Sequence, residues 1–131
     1  RQEGLELEWQ QQIGAWQWSG NFSLQDPRNL DSGERLLRRP VRKAALEAER
    51  QIGVWDFVLR AQAVSERAEF GGELAAYQLL DLRLGRDLGE AWHLDLGVDN
   101  LLDEDYQLAR GFATAGRSWR IGLRWRAPVA D

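Results

Sequence analysis

The chain alternates apolar and polar residues with a period of two through about seven segments, and this alternation limits the fold more than any other feature. The last segment is the clearest, because its residues of one parity are large and apolar: Trp119, Ile121, Leu123 and Trp125. Two arginines and a glycine stand between them. A strand sends successive side chains to opposite faces, whereas a helix repeats every 3.6 residues. The sequence therefore predicts an all-β chain whose sheet has one apolar and one polar face.

Short and long connections alternate strictly between the predicted strands. Each of the three short ones has an aliphatic residue, a glycine and a tryptophan that begins the next strand; they occupy residues 13–16, 52–55 and 88–92. The long connections are rich in turn-forming and charged residues, as exposed loops are. This order predicts an antiparallel up-and-down meander with tight turns at one end and long loops at the other, which is the layout of a bacterial outer-membrane β-barrel.

One predicted strand is less clear than the others. Residues 41–52 place Ala44, Leu46 and Ala48 on one parity, which indicates a strand. The same segment is rich in alanine and glutamate, which favour helices. A helix at this position is therefore the alternative.

Strand length bears on whether the apolar face meets lipid or a protein core. The alternating segments run about 9 to 12 residues, whereas soluble strands peak at about 5 to 6 and a tilted membrane strand needs about 9 to 11. Four tryptophans also fall at the tight-turn end of the strands: Trp16, Trp55, Trp92 and Trp125. Such a row is typical of the aromatic girdle at a membrane interface. We expect part of a transmembrane β-barrel; the alternative is a soluble all-β module with an apolar core that binds a ligand or a partner.

Composition excludes several classes of function. The 17 basic and 21 acidic residues give a net charge of -4, which argues against nucleic acid as a partner. The chain has no cysteine, so thiol chemistry, disulfides and cysteine metal sites are excluded. No apolar run reaches the roughly 18 residues of a transmembrane helix.

The polar residues show no catalytic constellation. His93 stands beside Asp95 on the polar parity, and a polar residue facing a barrel lumen explains it better than a catalytic triad, because no nucleophile motif accompanies it. An acidic run lacks EF-hand spacing, which favours a solvated loop over a calcium site: Asp99, Asp103, Glu104 and Asp105. We therefore predict neither an enzyme nor a site for a metal or cofactor.

The last third of the chain carries a family resemblance. Asn100-Leu101-Leu102-Asp103, Tyr106 and Gly111-Phe112-Ala113-Thr114-Ala115-Gly116-Arg117, followed by an alternating strand, resemble the C-terminal end of TonB-dependent outer-membrane receptors. The variant at residues 114–117 is most similar to the cobalamin receptor branch. Upstream, Arg38-Arg39-Pro40 with Lys43, and Tyr77 followed by residues 80–83, also fit the family.

The resemblance implies a place and a role for the chain. Residues 1–131 would be the C-terminal portion of a receptor barrel in the bacterial outer membrane, in contact with its lipid. The receptor would take up a scarce nutrient, cobalamin first and an iron siderophore second. The N-terminal plug and the part that contacts TonB are not expected in this chain, so it should not transport alone. Arg110, Phe112 and Arg117 in the last long loop are the expected ligand contacts.

Two features of the sequence bear on assembly. Seven antiparallel strands leave the first and last running the same way, whereas single-chain bacterial barrels have even strand numbers, so we expect an open sheet. Members of the family usually end on the aromatic residue of the last strand. Here residues 126–131 follow Trp125, which is expected to affect the efficiency of insertion.

Overall fold

The computed structural model describes residues 3–29 and 31–127, and all regular structure within those ranges is β-strand. The strands are β1 Glu3–Ile13, β2 Trp16–Asp26, β3 Arg42–Ile52, β4 Trp55–Val64, β5 Arg67–Glu69, β6 Gly72–Leu74, β7 Tyr77–Leu88, β8 Trp92–Asp99 and β9 Ser118–Trp125. Within the described ranges no helix is long and apolar enough to cross a membrane. The tail beyond residue 127, on which the expectation about insertion depends, lies outside the described residues.

Seven of the strands form one antiparallel sheet in the order β1-β2-β3-β4-β7-β8-β9. Neighbours in the sheet are consecutive in the chain, apart from β4 and β7, between which the small β5–β6 hairpin stands. The predicted all-β, up-and-down meander is therefore confirmed. Its two edges are β1 and β9, so the sheet of the described residues is open.

The segment for which a helix was the alternative forms β3. Ala44 lies opposite Phe22 of β2 and Ala63 of β4, and Ala48 lies opposite Trp18 and Leu59. Ala48, with a large side chain on each neighbouring strand, is almost completely buried. Packing on a pleated surface outweighs the helix propensity of alanine and glutamate here.

The register places like residues opposite one another across the whole sheet. Opposed apolar pairs include Leu59 with Leu82, Leu84 with Leu96, and Leu94 with Leu123. Residues directly opposite in a ladder lie on the same face of the sheet. One largely apolar face therefore runs from β1 to β9, and most of the polar side chains occupy the other. If one strand shifted by one residue against its neighbour, its apolar side chains would move to the polar face and its polar side chains to the apolar face.

Two of the three tight turns are two-residue hairpins. In each, an aliphatic residue paired with a tryptophan encloses residues 14–15 or 53–54. Gly14 and Gly53 have φ of 61° and 62°, and the residue after each does not have positive φ. This is the type II′ pattern, which suits the twist of the flanking strands and favours glycine at its first central position. The third turn, between Leu88 and Trp92, begins with Gly89 at φ 72°.

The β5–β6 hairpin was not predicted from the sequence. Each of its strands has three residues, which is too short to show an alternation. Arg67 pairs with Leu74, and Glu69 pairs with Gly72 next to the turn. Gly71 in the turn and Gly72 at the start of β6 have φ of 73° and 155°, so both positions favour glycine.

The apolar face of the sheet is not covered by another element of the described chain. All seven long strands lie in one layer. Trp119 and Ile121 on β9 are 74% and 79% exposed, and large apolar side chains on β1 are also exposed. The few buried apolar residues include Val64, Leu74 and Tyr77, which lie at or next to the long loops. A packed apolar core on this face is therefore absent from the part of the chain that the structure describes.

Candidate functional site

The long loops gather at the end of the sheet opposite the tight turns. We call residues 27–41 loop A, residues 65–76 loop B and residues 100–117 loop C. Loop B contains the β5–β6 hairpin. Hydrogen bonds and ion pairs join loop B to loop A, hydrogen bonds join loop B to loop C, and the three loops meet at one carboxylate of loop B.

Glu69 of loop B is the group at which the three loops join. Its side chain is 2% exposed, and one carboxylate oxygen lies 2.8 Å from Nε of Arg38 in loop A. The carboxylate also accepts hydrogen bonds from the N–H of Phe70 (3.0 Å) and from the N–H of Arg110 in loop C (3.4 Å). The hydrogen bond from Arg38, followed by that from the Phe70 amide, lowers the pKa of Glu69 to about 2, because both stabilise the charged form. Glu69 is therefore ionised at neutral pH.

Arg67 makes a second connection between loops B and C. It is buried, and its Nη2 donates to the carbonyl oxygens of Ala75 and Gln107, both at 3.0 Å. Its guanidinium carbon lies 4.8 Å from the centre of the Tyr77 ring, and that ring stacks on Tyr106 at 4.5 Å. An arginine and two tyrosines thus fix loop C against the start of β7.

Loop C is shaped by the residues that carried the family resemblance. The N–H of Asn100 donates to Asp81 Oδ1 at 2.9 Å. The side-chain amide of Asn100 exchanges hydrogen bonds with the backbone of Glu104, both at 2.9 Å. At the far end of the loop, the N–H of Arg117 donates to Asp103 Oδ1 at 2.7 Å. These motif residues therefore bond to the backbone of their own loop.

The three expected ligand contacts occupy two parts of loop C. Arg110 reaches the β5–β6 turn, where Nη1 donates to the carbonyl oxygen of Gly71 at 3.4 Å. Phe112, two residues later, is 71% exposed. Arg117 stands at the end of the loop, with Nη2 3.8 Å from Asp103 Oδ2. Within the described residues no hydrogen bond or ion pair joins Arg117 to Arg110. The structure thus places Arg110 in contact with loop B and pairs Arg117 with Asp103 of its own loop, while Phe112 is exposed.

Sequence reasoning missed one exposed aromatic in this region. Phe70 is 75% exposed and sits at the β5–β6 turn, directly after Glu69 and directly before Gly71, which Arg110 contacts. The Gly71-Gly72 pair indicated a turn, but nothing in the sequence indicated that loop C reaches it. Arg38, Glu69 and Arg110 likewise come together only through contacts between loops.

The four tryptophans of the expected girdle lie on the apolar face at the tight-turn end. Trp92 and Trp125 are directly opposed, with ring centres 6.5 Å apart. Trp16 and Trp55 are opposed to Ile13 and Ile52, the residues that end the preceding strands. We call these four residues the tryptophan row.

The polar face carries ion pairs between neighbouring strands. They join Glu47 with Arg60, Asp99 with Arg83 and Arg120, and Asp95 with Arg124. His93 belongs to this set, since Nδ1 lies 2.7 Å from Asp87 Oδ1 and Nε2 lies 3.3 Å from Asp95 Oδ1. Asp99 and Asp103 of the acidic run are both engaged by arginines. Across residues 3–29 and 31–127, three or more metal-ligating side chains do not come together at any point.

Comparison with known proteins gives one family match. A model described as TonB dependent receptor-like, beta-barrel, matches residues 1–101. The match covers the upstream strands, in which the sequence carried only short motifs, and it ends inside the Asn100–Asp103 motif.

Solved structures give the same fold. The ferric-catecholate import receptor Fiu from E. coli K12 matches with a TM-score of 0.78 and 20% identity, over 95% of this chain and 20% of that one. FpvA from P. aeruginosa, bound to a heterologous pyoverdine, matches with a TM-score of 0.80 and 17% identity, over 95% and 19%. The copper transporter OprC matches with a TM-score of 0.72 and 19% identity, over 95% and 23%. The chain thus spans about a fifth of the length of these proteins. None of the three is a cobalamin receptor, so they do not support the cobalamin branch suggested by residues 114–117.

Proposed function

The chain belongs to the TonB-dependent receptor-like β-barrel family, and from this premise we propose that it supplies barrel strands to an outer-membrane receptor that takes up a scarce nutrient. In this proposal residues 1–131 are the C-terminal portion of the barrel. A plug and a TonB-contacting segment elsewhere in the receptor perform the transport step. The family consists of transporters, so a role other than catalysis is consistent with membership.

The observation that carries the proposal is the uncovered apolar face. It extends over seven strands of 8 to 12 residues, and the five inner strands have a neighbouring strand on both sides. A soluble protein rarely leaves so large an apolar surface exposed, whereas a lipid bilayer covers it directly. The tight turns then lie on the periplasmic side, and loops A, B and C lie outside the cell.

A ferric siderophore is the ligand class that we put first. Fiu, described as a ferric-catecholate import receptor, and FpvA, described in complex with pyoverdine, share the fold of this chain over nearly all of its length. At 17% to 20% identity this likeness concerns the fold, so the ligand is our inference. Cobalamin is the second candidate, because residues 114–117 read Thr-Ala-Gly-Arg.

Arg110 and Phe112 are the ligand contacts that the geometry favours, with Arg117 as the third candidate. Phe112 is exposed in loop C, and the guanidinium of Arg110, two residues earlier in the chain, donates to the backbone of the β5–β6 turn. An exposed aromatic ring beside a cation suits a ligand that is both flat and anionic.

The membrane part of the proposal is tested with single-tryptophan variants in lipid vesicles. Brominated lipids should quench Trp16, Trp55, Trp92 and Trp125 to similar extents that correspond to a shallow depth. If the refolded protein stays in the aqueous phase and brominated lipid leaves its tryptophans unquenched, the apolar face is covered by protein and the receptor proposal fails.

The ligand part is tested by binding of ferric siderophores and cobalamin to the full-length receptor. We expect Phe112→Ala and Arg110→Ala each to weaken binding by about 5- to 10-fold, in the range of a strong interface residue. Leu108→Ala is the matched control, since Leu108 is also exposed in loop C. Equal effects of Leu108→Ala and Phe112→Ala would contradict the assignment of Phe112.

A further inference from the structure

Two arginines interrupt the apolar face at equivalent positions near the tight turns. Arg50 stands two residues before Ile52, which ends β3, and Arg86 stands two residues before Leu88, which ends β7. Arg50 is opposed to Phe57 and Arg86 to Leu94, so both lie on the apolar face. Among the described residues on the turn-side half of this face, Arg50 and Arg86 are the only charged ones. No carboxylate lies beside them on this face.

Each arginine lies over an indole of the tryptophan row. The guanidinium carbon of Arg50 is 5.4 Å from the ring centre of Trp16, and that of Arg86 is 5.5 Å from the ring centre of Trp55. Stacking on an indole occupies one face of the planar guanidinium and leaves the N–H groups in its plane available. The stack also fixes both cations at the depth of the tryptophans.

The described residues do not supply an acceptor for these N–H groups. Neither arginine forms an ion pair or a side-chain hydrogen bond within residues 3–29 and 31–127. Nε of Arg86 is buried without a hydrogen-bonding partner in the same part of the chain. The charge of each guanidinium is therefore not neutralised within the described residues, and an anion from outside the chain can pair with it.

We propose that Arg50 and Arg86 bind the phosphate groups of anionic phospholipids in the leaflet at the tight-turn end, with Trp16 and Trp55 as their platforms. The proposal rests on the receptor function above, because it requires the apolar face to meet lipid. A guanidinium matches phosphate oxygens in pairs. Phe57 lies opposite Arg50 and Leu94 lies opposite Arg86, so each cation has an apolar side chain beside it. A phospholipid can then place its phosphate on the arginine and its acyl chain on the apolar neighbour. A free phosphate ion would use only the cation.

The chain itself shows which substitution these positions accept. Gln11 occupies the same position on β1, two residues before Ile13, and is opposed to Trp18. Glutamine is therefore compatible with the strand, the apolar neighbours and the adjacent tryptophan. Arg50→Gln and Arg86→Gln remove the charge and leave a side chain that β1 already carries at this level.

The test measures the binding of phosphatidylglycerol to the full-length receptor by native mass spectrometry, in detergent and after transfer from lipid nanodiscs. We expect R50Q and R86Q each to weaken the binding about 5-fold, since one basic residue at an anionic membrane surface has an effect of that size, and the double variant to weaken it about 25-fold. R124Q is the matched control, because Arg124 lies at the same level on the polar face. Arg50→Lys and Arg86→Lys should keep part of the affinity, since they retain the charge without the planar group.

The outcomes separate this inference from the proposed function. Unchanged phosphatidylglycerol affinity in the double variant, in a receptor whose tryptophan row is quenched by brominated lipid, would overturn the phosphate sites alone. Displacement of the lipid by millimolar inorganic phosphate would overturn them in favour of a free-anion site. An equal loss in R124Q would show a general charge effect and would also overturn them. A receptor whose tryptophans are not quenched would overturn both proposals together.

Discussion

Two residues of loop C adopt a backbone conformation that their side chains stabilise. Asn100 and Asp103 have φ of 51° and 56°, a region that short polar residues enter more readily than others because they bond to nearby backbone. The side chain of Asn100 forms hydrogen bonds with the backbone of Glu104, and the side chain of Asp103 accepts a hydrogen bond from the N–H of Arg117. A Cβ added at Gly116 would lie 2.8 Å from Asp103 Oδ1, so a side chain there would displace the carboxylate that accepts a hydrogen bond from the N–H of Arg117.

Two substitutions of Asn100 distinguish the stability that its hydrogen bonds contribute from the cost of its backbone conformation. Asn100→Gly removes the bonds to Glu104 and should lower the free energy of unfolding by about 1 to 3 kcal/mol. Asn100→Ala removes the same bonds and also places a Cβ at positive φ, which should lower it by about 1 kcal/mol more. Urea unfolding of the receptor in vesicles measures both. Equal values for the two variants would show that the conformation at residue 100 relaxes without cost.

The sequence identified these residues but not their role. Asn100, Asp103 and Gly116 were recognisable as part of a family motif, yet that motif does not state which groups bond to one another. The structure shows that they shape loop C, whereas Arg110 contacts the hairpin of loop B. Contacts between loops that are distant in sequence leave no periodic pattern, so the junction at Glu69 was not predictable.

Individual strands were more predictable than the loops. Three strands begin at the tryptophans that follow the tight turns, Trp16, Trp55 and Trp92, as the sequence indicated. Long alternating segments constrain both the type of element and its register, because every residue must fall on the correct face. The β5–β6 hairpin lacks that constraint.

Adjacent residues of β3 test the two faces of the sheet. Leu46 lies near mid-strand on the apolar face, and Ala45 beside it lies on the polar face, opposed to Asn21 and Gln62. Leu46→Arg should lower the free energy of unfolding in bilayers by about 2 to 4 kcal/mol, since a lipid-facing arginine at the midplane costs that much. Ala45→Arg should change it by less than about 1 kcal/mol. A larger loss for Ala45→Arg would reverse the assignment of the faces.

The junction of the loops depends on the charge of Glu69. Its pKa in the folded protein, about 2, is below the ordinary value of 4.5. A carboxyl with a lowered pKa contributes stability that is complete above the ordinary value and is lost as the pH falls through the folded value. Protection of the loop B amides from hydrogen exchange should therefore be constant from neutral pH to about 5 and should decrease toward pH 2, after correction for intrinsic exchange.

Glu69→Gln provides the comparison for that measurement. It keeps the shape of the side chain and removes the charge that binds Arg38. The loop B amides should therefore be less protected from hydrogen exchange at neutral pH, and their protection should no longer decrease between pH 5 and pH 2. The matched control is Glu73→Gln, since Glu73 lies in the same hairpin and its ion pair with Arg35 is exposed. If the protection of the Gln variant still decreased between pH 5 and pH 2, another group would control the junction.

At the scale of the whole molecule, the open sheet has two unpaired edges. The outer backbone N–H and C=O groups of β1 and β9 are not paired with another strand, and such edges associate readily with other chains. We expect residues 1–131, prepared alone in buffer without detergent, to form oligomers or aggregates in analytical ultracentrifugation. A monodisperse monomer would indicate that the edges meet and the apolar face is internal, in support of the soluble alternative.

Both edge strands run toward the tight turns, and this direction restricts the symmetry of any assembly. If identical copies were arranged around one axis with every long loop on the same side, β9 of each copy would meet β1 of the next in parallel. Antiparallel contact between copies needs a two-fold axis perpendicular to the sheet, which sends their loops to opposite sides of the membrane. A ring of this chain therefore cannot be both wholly antiparallel and one-sided. An antiparallel barrel that contains these seven strands, with all its long loops on one side, must therefore be closed by strands of a different sequence. Their number must be odd, because the total must be even.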